Sequence, residues 1–437
     1  MQYSANSLEN HWMPFTSNRD FKKEPRLLVR GEGVYYWNHK GEKLIDGSSG
    51  LFNVAAGHGR KEIADAVHRQ LLEMDYGPHF QTGHPASFDL ARRVAQLTPE
   101  GLDYVFFCGS GSESVDTAIK IALAYHRTRG DGQRTRFVSR ERSYHGVNIG
   151  GLSLAGMVKN REQFGAMMPN VCHMRHTWMP ENKFVRGQAS TGAELADDLQ
   201  RFVDLYGASS IAACFVEPIA GSTGVLVPPK GYLERLRQIC DTHGILLVFD
   251  EVICGFGRTG KAFGAQSFGV TPDMITMAKA LTNGAQPMGA VACSDKIYMT
   301  IVNNAPERAV ELFHGYTYSA HPAACAAGLA ALDIYEKEGL FERAAKMSDY
   351  FLDAVWSLKD LPVVTDIRGY GMLAGIDIAT MDGKPGTRGY DATKRLFANG
   401  LHIKFTGDAG IIAPALVSEK SHIDEIVGVL RKTLKEY

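Results

Sequence analysis

The chain has 437 residues, and its 47 lysines and arginines nearly balance its 48 aspartates and glutamates, which gives a formal net charge of −1. This length predicts two or three domains, or one large domain with a smaller companion. Hydrophobic residues make up 45% of the sequence, which excludes an intrinsically disordered chain. The balanced charge excludes the basic surface of a dedicated nucleic-acid-binding protein.

The sequence also lacks the apolar segments of a membrane protein. No apolar run approaches the roughly 18 residues that a membrane-spanning helix needs, and the N-terminal residues contain no apolar core of a signal peptide.

The seven cysteines are widely spaced without a Cys-x-x-Cys pair, as is typical of a reducing compartment. The cluster Cys172–His176 lacks further ligands at the spacing of a zinc site. We therefore expect a cytoplasmic protein that binds neither a membrane nor a metal.

Taken in chain order, the first predicted element is a hairpin over Gly33–Asp46 that turns at His39-Lys40-Gly41. From about residue 60 to about residue 310, short apolar or β-branched runs alternate with amphipathic helical patterns, which is typical of an α/β fold with a largely parallel sheet. The strands predicted in this part are Tyr104–Cys108, Ile211–Val216, Ile245–Phe249, Met274–Met277 and Ala290–Cys293.

The pattern changes in the last part of the chain, where long helical stretches surround a few strand-like pieces such as Met372–Ile378. The helices predicted there are Pro322–Glu338, Phe341–Leu358 and Ser421–Lys435. This change indicates a smaller α+β domain, and the N-terminal hairpin is expected to pack with it because the α/β alternation begins only later. The predicted domains are a large domain at 61–321 and a small domain formed by 1–60 and 322–437.

The predicted strand Tyr104–Cys108 runs into a loop rich in glycine and serine, Gly109–Ser114, from which a helix is predicted to start. Glycines let backbone N–H groups approach a ligand, serines add hydroxyl donors, and a helix N-terminus carries partial positive charge, so such a loop can bind phosphate. It is neither a P-loop, since no Gly-Lys-Ser/Thr follows, nor a GxGxxG dinucleotide motif. On its own, a turn of this composition more often has no ligand.

Two ionisable residues follow predicted core strands and change this interpretation. Asp250 comes directly after Ile245–Phe249, and Lys279 comes shortly after Met274–Met277. Open α/β sheets bind ligands at the carboxyl ends of their strands. An acid there could also cap the next segment, and a lysine there could be solvated. Together with a phosphate-binding loop, however, these two residues are what pyridoxal phosphate requires, because the lysine attaches the cofactor and the aspartate keeps its pyridine nitrogen protonated.

Motifs along nearly the whole chain point to one family. The stretches DEVICGFGRTG (Asp250–Gly260) and PDMITMAKAL (Pro272–Leu281) closely resemble the class III pyridoxal-phosphate-dependent aminotransferases. The resemblance extends to His11–Thr16, Leu44–Phe52, Ala56–Ile63, Phe106–Lys120, Ser143–Gly146, Val216–Pro229 and His314–Pro322. Within the class, the sequence is most similar to the ω-amino-acid–pyruvate aminotransferases, the β-alanine–pyruvate and amine–pyruvate group. This resemblance implies fold type I, with a mostly parallel seven-stranded sheet in the large domain and a smaller α+β domain built from both termini.

The resemblance also implies a role for each residue of the cofactor site. Lys279 should be the catalytic residue, which binds the cofactor covalently and then moves a proton as acid and base. Asp250 should pair with the pyridine nitrogen. The other implied cofactor-binding residues are Ser110, Gly111 and Ser112 at the phosphate, Tyr144 and Val252 on the two ring faces, His145 beside Tyr144, and Glu217 near the ring hydroxyl. As an acid at the end of a strand, Glu217 could instead simply face water.

Thr317 has a different role in the family, because the equivalent threonine reaches the phosphate of the neighbouring subunit. The resemblance therefore implies a homodimer with two shared sites, and such dimers could pair into a dimer of dimers.

The substrate residues implied by the resemblance are Phe15, Phe52, Tyr144 and Lys404. Many relatives have tryptophan where Phe52 stands and arginine where Lys404 stands. An arginine grips a carboxylate with a planar fork, whereas a lysine offers a point charge. These departures predict one pocket for pyruvate and alanine that also accepts ω-amino acids, simple amines or an aminosulfonate, and that accepts 2-oxoglutarate poorly. Lys404 could instead point to solvent while another group binds the carboxylate.

The predicted function is the transfer of an amino group from an ω-amino acid or amine to pyruvate, which gives alanine in a ping-pong cycle between pyridoxal phosphate and pyridoxamine phosphate. A taurine–pyruvate aminotransferase is the nearest alternative in substrate, and an aminomutase or a decarboxylase is the nearest alternative in reaction. The remaining alternative is a binding protein on a degenerate aminotransferase fold, against which the intact Lys279 and Asp250 argue.

Overall fold

The computed structural model describes residues 8–165, 167–381 and 383–437. In these ranges the strands are β1 (Leu28–Glu32), β2 (Tyr35–Asn38), β3 (Lys43–Asp46), β4 (Tyr104–Cys108), β5 (Arg136–Arg140), β6 (Val171–Met174), β7 (Ile211–Val216), β8 (Leu246–Asp250), β9 (Met274–Met277), β10 (Gly289–Cys293), β11 (Val364–Tyr370), β12 (Leu373–Ile378), β13 (Leu401–His402), β14 (Lys404–Thr406) and β15 (Ala409–Ile412).

The helices in the same ranges are α1 (Asn18–Lys23), α2 (Ser49–Phe52), α3 (Lys61–Glu73), α4 (Pro85–Ala95), α5 (Gly111–Thr128), α6 (Ile149–Leu154), α7 (Val158–Arg161), α8 (Asp197–Tyr206), α9 (Tyr232–His243), α10 (Gly264–Phe268), α11 (Asp295–Asn303), α12 (Pro322–Lys337), α13 (Leu340–Trp356), α14 (Thr387–Ala398) and α15 (Lys420–Leu434). None of these helices is long and apolar enough to cross a membrane.

A seven-stranded sheet with the order β4-β10-β9-β8-β7-β5-β6 forms the centre of the described chain. The strands from β9 to β6 pair in parallel, and β10 is antiparallel to both of its neighbours. Every residue of β7 and β8 is buried, because helices cover both faces of a parallel sheet. This burial explains why the two strands have continuous apolar sequences. The predicted α/β fold with a mostly parallel seven-stranded sheet is confirmed.

The predicted strands agree with this sheet within one residue. One of them shifts, since β8 is Leu246–Asp250 and not Ile245–Phe249. The amide of Ile245 donates to the carbonyl of Cys240 at 2.9 Å, so this residue still belongs to the end of α9. The sequence did not predict β5 and β6, because β5 begins and ends with arginine and β6 includes a histidine within its four residues.

Two smaller sheets lie outside the central one, with the strand orders β1-β2-β3-β13 and β11-β12-β15-β14. The predicted N-terminal hairpin is confirmed as β2 and β3, which pair in antiparallel register. Strand β13 pairs in parallel with β3 through Leu401 and Ile45, so the N-terminal hairpin shares a sheet with the C-terminal part of the chain, as expected. Of the predicted C-terminal helices, α13 ends at Trp356 and a short 3-10 turn follows it.

Candidate active site

Three adjacent parallel strands of the central sheet end in ionisable residues. Glu217 follows β7, Asp250 is the last residue of β8, and Lys279 follows β9 by two residues. Because β7, β8 and β9 are neighbours and run in parallel, their carboxyl ends share one edge of the sheet. Open α/β sheets bind ligands at this edge. The structure therefore brings together two carboxylates and one ammonium that lie far apart in the sequence.

The carboxylate of Asp250 is almost fully buried, with 5% of the residue exposed. Its Oδ2 lies 2.8 Å from Nδ1 of His145, and its Oδ1 accepts a hydrogen bond from the backbone N–H of Val252 at 3.2 Å. An imidazole partner stabilises a buried carboxylate that would otherwise lose its solvation. Among the described residues, Nε2 of His145 is buried without a hydrogen-bond partner.

Glu217 is also buried, with 3% of the residue exposed. Its two carboxylate oxygens accept hydrogen bonds from the backbone N–H groups of Tyr144 at 2.9 Å and Gly221 at 3.1 Å, which fix its position. Burial raises the pKa of Glu217 to about 7, the nearby His145 opposes this rise, and the neighbouring Asp250 carboxylate adds to it. The alternative in which Glu217 simply faces water is therefore wrong. Near neutral pH this carboxyl group is poised between its protonated and ionised forms.

Lys279 begins a short 3-10 turn immediately beyond β9, and its backbone has a positive φ of 50°. A left-handed conformation in a lysine costs free energy and is more common at functional sites than elsewhere. Burial lowers the pKa of Lys279 to about 8; Asp250 opposes this shift and the ammonium of Lys404 adds to it. An amine with a pKa near neutrality can both donate and accept a proton under ordinary conditions.

The Gly/Ser-rich loop lies where the sequence predicted it, at the start of α5. Ser110 caps this helix, since its Oγ accepts a hydrogen bond from the backbone N–H of Glu113 at 3.2 Å. Ser112 connects the loop to the segment that carries Tyr144 and His145, because its Oγ accepts from the backbone N–H of Val147 at 3.1 Å. A Cβ on Gly111 would lie 3.1 Å from a methyl group of Val252. The predicted phosphate loop and the predicted ring-contacting Val252 are therefore in direct contact.

A cavity of about 620 Å³ opens beside Lys279, and its wall includes the four predicted substrate residues, Phe15, Phe52, Tyr144 and Lys404. Phe52 is buried whereas Phe15 is 78% exposed at the mouth. The Nζ atom of Lys404 lies 5.7 Å from the centre of the Phe52 ring, and no carboxylate among the described residues pairs with it. Burial lowers the pKa of this lysine. The cavity thus contains a second ammonium without a protein counter-ion.

The sequence analysis named only some of the residues that line the cavity, and the wall also includes the cationic Arg26. Ser222 also lines the cavity and is almost fully buried. It belongs to the motif Val216–Pro229, but nothing in the residues themselves distinguishes it from the other small residues of that loop. Thr317 behaves differently from all of these residues, because it lies on an exposed surface of this chain and does not line the cavity.

The donor set at this edge fits pyridoxal phosphate. The partly buried Lys279 supplies an amine, and the nearby N-terminus of α5 supplies a phosphate site. The Asp250 carboxylate keeps free lone pairs for a protonated ring nitrogen. The close approach of Gly111 and Val252 leaves little room for a side chain at position 111. These features agree with the sequence-based prediction, which comparison with known proteins can test.

The family model of the class III aminotransferases matches residues 16–434. The chain belongs to this family. It is 54% identical over 433 residues to an ω-aminotransferase from Caulobacter vibrioides, which covers 99% of this chain and 98% of that protein. It is 50% identical over 430 residues to a β-alanine–pyruvate aminotransferase from Pseudomonas aeruginosa, which covers 98% of this chain and 96% of that protein.

The fold of this class III aminotransferase is also similar to solved structures. The crystal structure of an ω-transaminase from Pseudomonas jessenii in complex with PMP has a TM-score of 0.94 and 30% identity, and covers 100% of this chain and 98% of that chain. The predicted family, the type I fold and the pyridoxal phosphate cofactor are therefore confirmed, and the protein is an enzyme of the transaminase class.

The packing around Ser112 predicts that Gly146 is essential for cofactor binding. A Cβ at this position would lie 2.6 Å from Oγ of Ser112, so Gly146→Ala should push the Tyr144–His145 segment off the loop. Because overpacking typically costs ~1–3 kcal/mol, we expect the affinity for pyridoxal phosphate to fall about tenfold or more. Titration of the apoenzyme with cofactor, followed by absorbance, measures this effect.

Gly130→Ala is the matched control, since Gly130 has a similar positive φ of 87° and nothing within 4 Å of its Cβ position. It should lower stability without changing cofactor affinity. Equal affinity losses in both variants would show that backbone strain alone, and not the contact with Ser112, causes the defect.

Proposed function

We propose that this aminotransferase transfers the amino group of an ω-amino acid, of the β-alanine type, or of a simple amine to pyruvate and so forms alanine. The main support is the unpaired ammonium of Lys404, which lines the same cavity as Lys279. A cation at that place can bind the carboxylate that pyruvate, alanine and β-alanine all have. The relatives named above, which include a β-alanine–pyruvate aminotransferase, support the same choice.

Different residues of the chain perform different parts of the proposed reaction. When bound, pyridoxal phosphate supplies an electron sink for bond cleavage at the carbon that carries the amine. Lys279 holds the cofactor and then moves the proton at its Nζ, for which a pKa of about 8 is suitable. Asp250 holds a proton on the ring nitrogen and is itself fixed by His145. Tyr144 and Val252 would contact the two faces of the ring and exclude water from it.

Three other reactions are alternatives within the proposal: the transamination of taurine, an aminomutase reaction and a decarboxylation. Lysine is a point charge without the planar geometry of arginine, so Lys404 can bind the sulfonate of taurine as well as a carboxylate. This favours taurine as a second donor. An aminomutase or a decarboxylase would use the same cofactor residues, but it would form no alanine from pyruvate. A panel of donors tested against pyruvate and 2-oxoglutarate, with detection of alanine and glutamate, separates these cases.

We further propose a homodimer in which Thr317 reaches the phosphate site of the partner. Thr317 is exposed in this chain, and its carbonyl accepts a hydrogen bond from the hydroxyl of Tyr76 at 3.0 Å. Around it lie further exposed aromatic residues, of which Phe80 is 60% and Tyr318 is 63% exposed. Exposed apolar surface of this kind is typical of protein–protein interfaces, and a second copy of the chain would cover it.

The cytoplasmic location and the domain boundaries belong to the same proposal. All seven cysteines are free and six of them are buried, which suits a reducing compartment. The proposed large domain, 61–321, contains the whole seven-stranded sheet, and the proposed small domain joins the remaining residues of both termini.

Replacement of Lys279 by alanine should remove turnover while leaving the fold intact. The purified enzyme should absorb visible light through its lysine-linked cofactor, and an amino donor should bleach it. In Lys279→Ala we expect alanine formation to fall about a thousandfold, within the range for a lost acid–base group. Lys261→Ala, which changes an exposed lysine of the same region, is the control and should stay coloured and active. Near-normal transamination by Lys279→Ala would contradict the mechanism.

Replacement of Lys404 by alanine should discriminate between charged and uncharged donors. Because a hydrogen bond to a charged group contributes ~1.5–3 kcal/mol, kcat/KM for β-alanine should fall about tenfold to a hundredfold. The value for propylamine, which has a similar length and no carboxylate, should change little. The donor half-reaction is followed by bleaching, so that pyruvate does not affect the comparison.

Lys404→Arg is the matched variant, because it keeps the charge and restores the planar fork. It should retain the preference for β-alanine. If Lys404→Ala lowered both donors equally, or neither of them, Lys404 would not be the carboxylate site.

Mixed dimers test whether Thr317 acts on the partner's site. Subunits with Thr317→Asp, which places a carboxylate against the phosphate, are mixed with subunits that carry Lys279→Ala. If Thr317 acts in the partner, one site of each mixed dimer is intact and the other has both lesions. After random exchange in equal amounts, activity should therefore recover to about a quarter of the wild-type value. Exchange is verified with differently tagged subunits, and inactive mixed dimers would show that the two residues act in one subunit.

A further inference from the structure

The two small sheets meet where the chain leaves β3. Beyond Asp46, the backbone of Gly47 lies between β13 and β15, since its N–H donates to His402 at 2.8 Å and its carbonyl accepts from the N–H of Ala413 at 2.7 Å. A Cβ on Gly47 would come 2.6 Å from a methyl group of Ile403. Only glycine fits this place, so the chain passes tightly between the strands that lead to Lys404.

The next residue, Ser48, is fully buried, with 0% of its surface exposed. Its hydroxyl donates to the carbonyl of Ile411 at 2.8 Å and accepts from the backbone N–H of Lys404 at 3.1 Å. Lys404 and Ile411 face each other in the β14–β15 pair. The hydroxyl of Ser48 therefore bridges the first facing pair of these two strands.

Through this bridge, strand β14 gains a hydrogen-bond partner outside its own sheet. It has only three residues and lies at the edge of its sheet, where its single partner strand is β15. Ser48 itself is fixed in place, because its N–H donates to Oδ1 of Asp46 at 3.1 Å. The other carboxylate oxygen of Asp46 accepts from the N–H of Gly50 at 2.6 Å and lies 2.8 Å from Nε2 of His58. One buried carboxylate thus binds both Ser48 and Gly50 in this turn.

The turn formed by residues 48–52 also approaches the ammonium of Lys404. It ends at Phe52, whose ring centre lies 5.7 Å from Nζ of Lys404, a distance at which a cation and an aromatic face attract each other. Residues 48–52 therefore contact Lys404 twice, at its backbone through the hydroxyl of Ser48 and at its charged end through the ring of Phe52.

We propose that Ser48 is a positioning residue that determines specificity for carboxylate-bearing donors, because its hydroxyl sets where the Lys404 ammonium stands in the cavity. The proposal rests on the proposed function of Lys404. Without the hydroxyl, the N–H of Lys404 and the carbonyl of Ile411 either lose a buried partner or pair directly with each other. Either change moves the start of β14, and the ammonium with it, away from the bound carboxylate.

The test compares two donors in the donor half-reaction of the complete holoenzyme. In Ser48→Ala, KM for β-alanine should rise about tenfold, because the displaced ammonium weakens its charged hydrogen bond to the carboxylate, while its maximal rate stays within about twofold. For propylamine, both values should stay unchanged. If Ser48→Ala is not recovered folded, Ser48→Cys, with its weaker hydrogen-bonding thiol, is measured in the same way.

Ser49→Ala is the matched control. The hydroxyl of Ser49 donates to the carbonyl of Ala413 at 2.6 Å and accepts from Arg258 at 2.9 Å, and it makes no hydrogen bond to Lys404. Loss of this neighbouring hydroxyl should affect the two donors equally. A β-alanine-selective loss in Ser49→Ala of the same size would show general loosening of the turn and would overturn the proposal.

A double-mutant cycle with Lys404→Ala shows whether Ser48 acts through Lys404. In the Lys404→Ala background, Ser48→Ala should cause no further rise in KM for β-alanine, since residues that act through one contact are not additive. Additive losses, or no selective loss in Ser48→Ala, would refute the role of Ser48 while leaving a selective effect of Lys404→Ala intact. If Lys404→Ala itself were unselective, the proposed function of Lys404 would fail and the role of Ser48 with it.

Discussion

The burial of three ionisable groups at one edge of the central sheet is the constraint on which the rest of the site depends. An isolated charge loses several kcal/mol or more when it leaves water, so each group needs a fixed partner. Asp250 has His145, and Glu217 has two backbone amides. Lys279 has no ion pair within 4 Å among the described residues, and its low pKa follows from that burial. The site is therefore prepared for a group that binds this amine.

Three residues near the cavity have strained backbone conformations, which the surrounding structure stabilises. Lys279, Ser49 and Phe52 all have positive φ values, which are costly for residues with side chains. Arg258 explains how the turn around Ser49 persists, because its buried guanidinium donates to Ser49 Oγ and to the carbonyls of Met372 and Pro414. This arginine belongs to the motif that also contains Asp250, so a single stretch of sequence supports both the cofactor site and the substrate wall.

Whereas Tyr144 and His145 were assigned only through the family resemblance, local sequence patterns could predict the part of the cofactor site whose residues end or follow strongly apolar strands. Asp250 and Lys279 are examples, and the structure places both at the expected edge. Because β5 begins and ends with arginine, a search for apolar runs did not detect this strand. The role of Ser48 could not be predicted, since its partners Lys404 and Ile411 are more than three hundred residues away in the chain. Only the folded sheet brings these three residues together.

Apart from Tyr144, which belongs to both sets, the predicted cofactor residues and the predicted substrate residues come from different layers of the molecule, yet they are not independent. The cofactor residues follow strands of the central sheet, whereas Phe52 and Lys404 come from the turn after β3 and from β14. Substitutions at the substrate wall can therefore change donor choice without disturbing the phosphate loop. However, the Lys404 ammonium also lowers the pKa of Lys279, because two positive charges share one poorly solvated cavity. A substrate carboxylate bound to Lys404 would cancel that repulsion, so under the proposed roles Lys404 both selects the donor and affects the proton affinity of Lys279.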